Sequence, residues 1–322
     1  MVPARTVTRS AITLLAIALS CAACQRSTAP HKAADNTMAL AQLAKQQFEK
    51  HQQDWRAERL ARLTKPDGWV SLIGLDVLAL GAHRLGSAAD NGIRLAMGPA
   101  HLGVLTVKKD ALTFAPGRGV EVKVDDAPVQ DIATLHDDTA PDGPSRITFD
   151  DGKGVATVIV RAGGYRLRVK HADADTRAHF AGLDYWPGGP EWQVKARFIP
   201  NPAGKTMPIA NIIGSIDEMA NPGVLEFQRA GKTFRLEALD EGEGTLFLVF
   251  ADRTSGHGSY GAGRFIDAPM PDAQGNVVID FNQGYNPPCA FTPFATCPLP
   301  PPENRLDLAV EAGEKAYAKS AH

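Results

Sequence analysis

Between Asp252 and Tyr285 the chain gathers a dense set of side chains able to do polar chemistry. Asp252, Ser255 and His257 supply the residue types of an acid–base–nucleophile set, and Tyr260 and Arg264 follow, both able to orient a polar group. Glycines at 256, 258, 261 and 263 permit backbone conformations closed to other residues, or the close approach of a ligand. Asp280, Asn282 and Tyr285 put further polar groups at the end of the apolar run NVVI. The spacing favours binding over catalysis. A single Asp-x-x-Ser-x-His loop has no nucleophile elbow, and triads are assembled from distant segments. No His-x-His or His-x-x-x-His pair occurs, so no metal is expected. No cofactor is expected either, because a phosphate loop needs a helix after its glycines and none follows here. Asp252, His257, Tyr260, Arg264, Asp280, Asn282 and Tyr285 are therefore the candidate ligand-binding residues, with no catalytic residue assigned. A tight structural hairpin is the competing reading, and a hydrolase pairing Asp252 or Asp280 with His257 or Tyr260 is a third.

These residues need rigid support. Pro287-Pro288 stiffens the chain after Tyr285, and Cys289 and Cys297 stand eight positions apart. Two such cysteines in an exported protein most often pair, and the loop of about nine residues is worth about 2.5 kcal/mol in the chain-entropy model. A metal pair or a reactive thiol would need a helper such as histidine, and none lies inside the loop. The clamped loop either carries a binding site or covers a sheet edge. Glu303, Asn304 and Arg305 are placed to tie it down by ion pairing. Phe180, Tyr185, Trp186 and Trp192 form either one wall of a pocket or core.

The elements that carry all this are strands. From Trp69 the hydrophobic period is two, in WVSLIGLDVL, GVLTVKK, ALTFA, VEVKV, RITFD, VATVIVR and YRLRVKH. Turn material such as Asp125-Asp126 and Asp150-Asp151-Gly152 separates them. A second series runs through MPIANIIG, GVLEFQRA, KTFRLEAL, GTLFLVFAD, RFIDAPM and NVVIDF. Short strands with no helices between them imply antiparallel sandwiches or barrels. Upstream, residues 36–66 lack this alternation. Asn36 is placed to cap a helix whose apolar Leu40, Leu43, Phe48, Trp55 and Leu60 recur at helical spacing, and Lys65-Pro66-Asp67-Gly68 stops it.

The first residues are an address. Arg5 and Arg9 precede an apolar run of about 13 residues, Ala11 to Ala23, too short for a bilayer and the size of a signal-peptide core. It ends Ser20-Cys21-Ala22-Ala23-Cys24 and resembles a bacterial lipoprotein signal, with Cys24 preferred over Cys21 for lipidation. The alternative is an ordinary secretory signal. The organisation expected is a signal at 1–23, a tether at 24–35, a helical segment at 36–66, a first β domain at 67–175 and a second, site-bearing β domain at 176–322. The protein is expected at the bacterial cell envelope, anchored by lipid in the outer membrane and facing the periplasm. A small molecule or an envelope protein is the remaining partner. The 322 residues carry a formal net charge of −2, so there is no basic footprint and no nucleic-acid partner is expected. With 44% hydrophobic residues the chain is not disordered in composition, and its 30 glycines and 23 prolines suit many turns.

Two resemblances add to this. Pro66-Asp67-Gly68-Trp69-Val70-Ser71-Leu72-Ile73-Gly74-Leu75, Tyr260-Gly261-Ala262-Gly263-Arg264-Phe265 and Asn286-Pro287-Pro288-Cys289-Ala290-Phe291-Thr292-Pro293 closely resemble the bacterial domain-of-unknown-function 1684 family over roughly 48–318. That resemblance implies no established activity. The stretch from His83 to Gly103 resembles the core of a forkhead-associated domain, which implies a β-sandwich. Ser87 and Gly98 stand where that module's phosphate-binding arginine and serine belong, so phosphopeptide binding is not implied. The fold expected is mainly β: an N-terminal helix, a forkhead-associated-like antiparallel sandwich and a second antiparallel sandwich or barrel. Its expected role is small-ligand binding or envelope support, with an envelope hydrolase or a protein-interaction module as the rivals.

Overall fold

The computed structural model describes residues 29–318, with side chains from 38 onward; the signal run, Cys21 and Cys24 lie outside the described residues. Between Gln47 and Phe48, within the N-terminal helix, the chain divides into two units. Helix α1 spans Ala29–Leu63, beginning earlier than Asn36, which lies inside it. Alanine-rich sequence favours helix, and Pro30 fits a first turn whose N–H groups are unsatisfied in any case. The apolar stripe sets only part of how α1 buries: Trp55 and Leu63 pack into the core under the strap. From Phe48 on, the buried residues are Gln52, Arg59 and Leu63, with Phe48, Trp55 and Arg56 half-buried, whereas Leu60 is exposed. A polar face docks because its groups find partners, described below.

The first β unit holds β1 (Leu72–Leu78), β2 (Gly81–Gly86), β3 (Ile93–Arg94), β4 (Gly103–Lys108), β5 (Ala111–Pro116), β6 (Lys123–Val124), β7 (Ala127–Pro128), β8 (Ala133–Leu135), β9 (Ile147–Phe149), β10 (Gly154–Arg161) and β11 (Gly164–His171). They form a six-stranded sheet, β1-β11-β10-β9-β6-β7, and a five-stranded one, β3-β2-β4-β5-β8. Leu105 and Phe114 of the second sheet pack with Ile147, Val158, Leu167 and Val169 of the first in one core, making a sandwich. Asp125-Asp126 and Asp150-Asp151 all take positive φ, the mirror-image turn geometry that suits the twist of hairpins.

After a short helix α2 (Asp175–Ala178) come β12 (Gln193–Pro200), β13 (Thr206–Ala210), β14 (Ile216–Arg229), β15 (Lys232–Asp240), β16 (Thr245–Phe250), β17 (Arg264–Pro269) and β18 (Asn276–Asp280). The order β17-β16-β15-β14-β12-β18, with β13 beside β14, curls into a nearly closed barrel. Side chains fill its interior: Phe227, Leu236, Leu248, Phe250, Ile266, Ile279 and Phe281 are among its buried residues. Phe250 and Phe281 meet edge-to-face at 5.6 Å. From Phe281 the chain carries no further strand up to residue 318 and runs as a strap of irregular backbone with three 3₁₀ turns. Cys289 and Cys297 are joined in a disulfide.

Candidate functional site

Arg264 opens β17 and is 1% exposed, so its charge must be answered inside the protein. Its Nη2 donates to Asp252 Oδ2 at 3.2 Å and to the Val310 carbonyl at 3.0 Å, and its Nη1 donates to the carbonyls of Ala312 and Glu314. Asp252 Oδ2 also accepts from the Val310 N–H at 2.7 Å, while Oδ1 accepts from the Thr254 N–H and hydroxyl. Burial lowers the Arg264 guanidinium, and Asp252 and Glu314 oppose that. The pair therefore staples the end of the strap to the barrel, and both side chains are saturated.

Asp280 is the second such centre. Its Oδ2 accepts from Gln52 Nε2 at 2.7 Å and Gln193 Nε2 at 2.9 Å, and its Oδ1 from the N–H and side-chain amide of Asn282. Asn282 in turn bonds both the N–H and the carbonyl of Gly189. Tyr285 is the third. Its hydroxyl donates to Asp267 at 3.0 Å, and its backbone pairs both ways with Phe265, extending the ladder beyond β17. Burial, and then the charge of Asp267, holds the Tyr285 phenol above its ordinary range, and burial does the same to Tyr260. Neither yields a phenolate near neutral pH.

Sequence reasoning missed a buried group that joins α1 to the strap beside Tyr285. Arg59, on α1, donates from Nε to Glu314 Oε1 at 2.8 Å and from Nη2 to the Asn286 carbonyl at 3.0 Å. Its guanidinium lies 4.8 Å from the ring centres of both Trp69 and Tyr285. Glu314, fully buried, also accepts from the Asn286 N–H. Nothing in the local sequence of Glu314 signals this; Arg59, seven positions after Gln52, carries a faint helical signal. Asn304 does tie the strap down, but by hydrogen bonds to Glu237 and Val249 rather than by ion pairs of Glu303 or Arg305.

The hairpin between Asp252 and Arg264 assembles no triad. His257 is exposed, and its Nδ1 meets the Ser255 carbonyl rather than the hydroxyl. Gly263, at φ +98°, is required: a Cβ there would stand 2.4 Å from Pro300 and 2.7 Å from the Phe250 carbonyl. Asp252 and Tyr260 line two different cavities, and Arg264, Asp280, Asn282 and Tyr285 line neither of them. The four aromatics also separate: Trp192 enters the barrel core, Phe180 packs under the strap, Trp186 donates to Ser259 and Tyr185 lies beneath the Arg56 guanidinium. Among the described residues no three His, Cys, Asp or Glu side chains converge as metal ligands.

Residues 178–315 match the family model described as "Protein of unknown function (DUF1684)". This segment belongs to that family. The match takes in the barrel and most of the strap, a narrower span than 48–318, and leaves α1 and the sandwich outside. No curated protein matches the chain. A solution NMR structure of an uncharacterized protein from Haloarcula marismortui is similar at 29% identity, covering 44% of this chain and 80% of that one, with a TM-score of 0.37.

A cavity with free chemistry lies outside the DUF1684 segment except for one side chain. β1 is the edge of one sandwich sheet and β3 the edge of the other, and between them opens a cleft of about 420 Å³. Ile73, Leu95 and Val169 supply its apolar wall, Asp76, Ser87 and Arg94 its polar groups, and Phe294 reaches it from the disulfide loop. Asp76 pairs across the ladder with core residue Leu167, so it faces inward. It is half-buried, makes no hydrogen bond or ion pair among the described residues, and burial raises its carboxyl above the ordinary range. Arg94 donates through Nε to the Ser87 carbonyl at 3.3 Å, leaving its two Nη groups for a ligand. Ser87 donates to the Gly98 carbonyl at 2.9 Å.

Proposed function

We propose that the protein is a lipid-anchored component of the bacterial cell envelope, held by Cys24, that binds a small ligand in the cleft between β1 and β3. The observation that carries this reading is the contrast in saturation. Each charged or amide candidate in the strap and barrel is met by internal partners, whereas the cleft holds a carboxylate with none. A pocket of a few hundred Å³ with an apolar wall and a few polar groups has the character of small-molecule sites. A hydrolase is disfavoured because Asp252 and Asp280 are engaged and the exposed His257 meets a backbone carbonyl rather than the Ser255 hydroxyl.

Ala96 is exposed on the cleft, so Ala96→Trp fills the cleft without entering the core. Ligand-observed NMR against a small-molecule library should give binders to the wild type that this variant loses. Binders retained in full by Ala96→Trp, or ester or glycoside turnover that depends on Asp252 or His257, would overturn the reading. Palmitate labelling that disappears in Cys24→Ser tests the anchor, and labelling that persists would move it to Cys21.

A further inference from the structure

We propose that the β1–β3 cleft takes a small zwitterion of the amino-acid class, an ammonium and a carboxylate carried on a short carbon body. This rests on the cleft being the binding site. Asp76 and Arg94 line the same cavity, and among the described residues no ion pair joins them, so neither charge is answered by the other. That arrangement selects by charge. A cation drawn to Asp76 is repelled by Arg94, and an anion at Arg94 is repelled by Asp76. A dipolar molecule gains at both ends, with charge-assisted hydrogen bonds stronger than neutral ones.

The rest of the lining fits the body of such a ligand. The free Nη groups of Arg94 suit a carboxylate, which a guanidinium meets through two parallel bonds. Asp76 accepts from an ammonium without surrendering an existing partner. Between them, Ile73, Leu95, Val169 and Phe294 offer apolar contact for a short side chain. Gly74, next to Asp76 on the same face of β1, carries no side chain to occupy the space. A volume of about 420 Å³ is near the small end of ligand sites.

A plainer role for Asp76 exists: an inward-pointing charge on an edge strand guards against edge-to-edge pairing. Isotope-labelled protein titrated with glycine, alanine and alanyl-alanine, and with acetate and methylammonium as single-charge controls, separates the two. The zwitterions should shift cleft resonances and the controls should not. Asp76→Asn and Arg94→Gln should each weaken binding by about tenfold or more while keeping the folded spectrum. Controls that bind as well as the zwitterions would overturn the proposal. So would Asp76→Asn binding normally while self-associating in sedimentation, which would assign Asp76 to edge protection. If no zwitterion binds but library compounds still occupy the cleft, the ligand class is wrong and the site stands; if neither binds, both readings fall.

Discussion

The barrel with its strap and the sandwich with its cleft handle polar groups in opposite ways. In the first, Arg264, Asp252, Arg59, Glu314, Asp280 and Asn282 sit almost out of contact with water, each matched by several partners. In the second, Asp76 is held half-buried at a sheet edge with no hydrogen-bond donor among the described residues. The contrast teaches that a dense run of unusual residues need not be a site. A long irregular strap must satisfy its own backbone, and buried charges whose geometry is over-determined do that at Val310, Ala312 and Glu314. A binding surface needs the reverse, polar groups left unanswered until a ligand arrives.

The strongest way to break this contrast is Arg264→Met. It strands Asp252 as an unpaired buried charge and frees three strap carbonyls, so urea unfolding should show a loss of about 3–5 kcal/mol. A variant within about 1 kcal/mol of wild type would mean that the pair is dispensable to the fold and available for function. Next comes the double variant Cys289→Ser/Cys297→Ser. A loop of about nine residues predicts a loss of about 2.5 kcal/mol. Because Phe294 sits within that loop and lines the cleft, its ring should also show fewer nuclear Overhauser contacts to the cleft. Unchanged contacts would sharpen the comparison by separating strap from cleft altogether.

Gly263→Ala probes the hairpin that the sequence singled out. Positive φ and the collision with Pro300 and the Phe250 carbonyl should cost about 1–3 kcal/mol, visible as a lowered unfolding midpoint. No change in midpoint would show that the hairpin yields easily and reopen it as a ligand loop.

How far the sequence showed all this depends on which signal each part uses. Strands such as β10, β11, β15 and β16 declare themselves by alternation and turn residues, because one buried face imposes a period of two. The disulfide was legible from the spacing of Cys289 and Cys297, read together with an expectation of export. The docking of α1 was legible only through Trp55, since hydrophobic periodicity cannot foresee Gln52 and Arg59, whose partners lie more than 200 residues away. Asp76 was hidden for a different reason. A register shift between Leu72 and Gly74 breaks the alternation, so counting inward and outward positions from Trp69 loses the phase before Asp76 is reached. An aspartate inside LIGLDVL was the one visible hint.

The smallest expected effect belongs to that residue and tests the cleft side of the contrast directly. Burial raises the Asp76 carboxyl above its unfolded value, so the folded state resists its ionisation. Its contribution to stability is therefore fully present below the unfolded carboxyl range and is lost as pH rises through the higher folded value. Asp76→Asn should remove that slope and leave neutral-pH stability within about 0.5 kcal/mol of wild type or slightly higher, read from urea midpoints across pH 3–8. The opposite sign, a variant clearly less stable at neutral pH, would mean that the ionised carboxylate already has a stabilising partner in the folded protein. In that case Asp76 would join Asp252 and Asp280 as a saturated group, and the difference between the two regions would disappear.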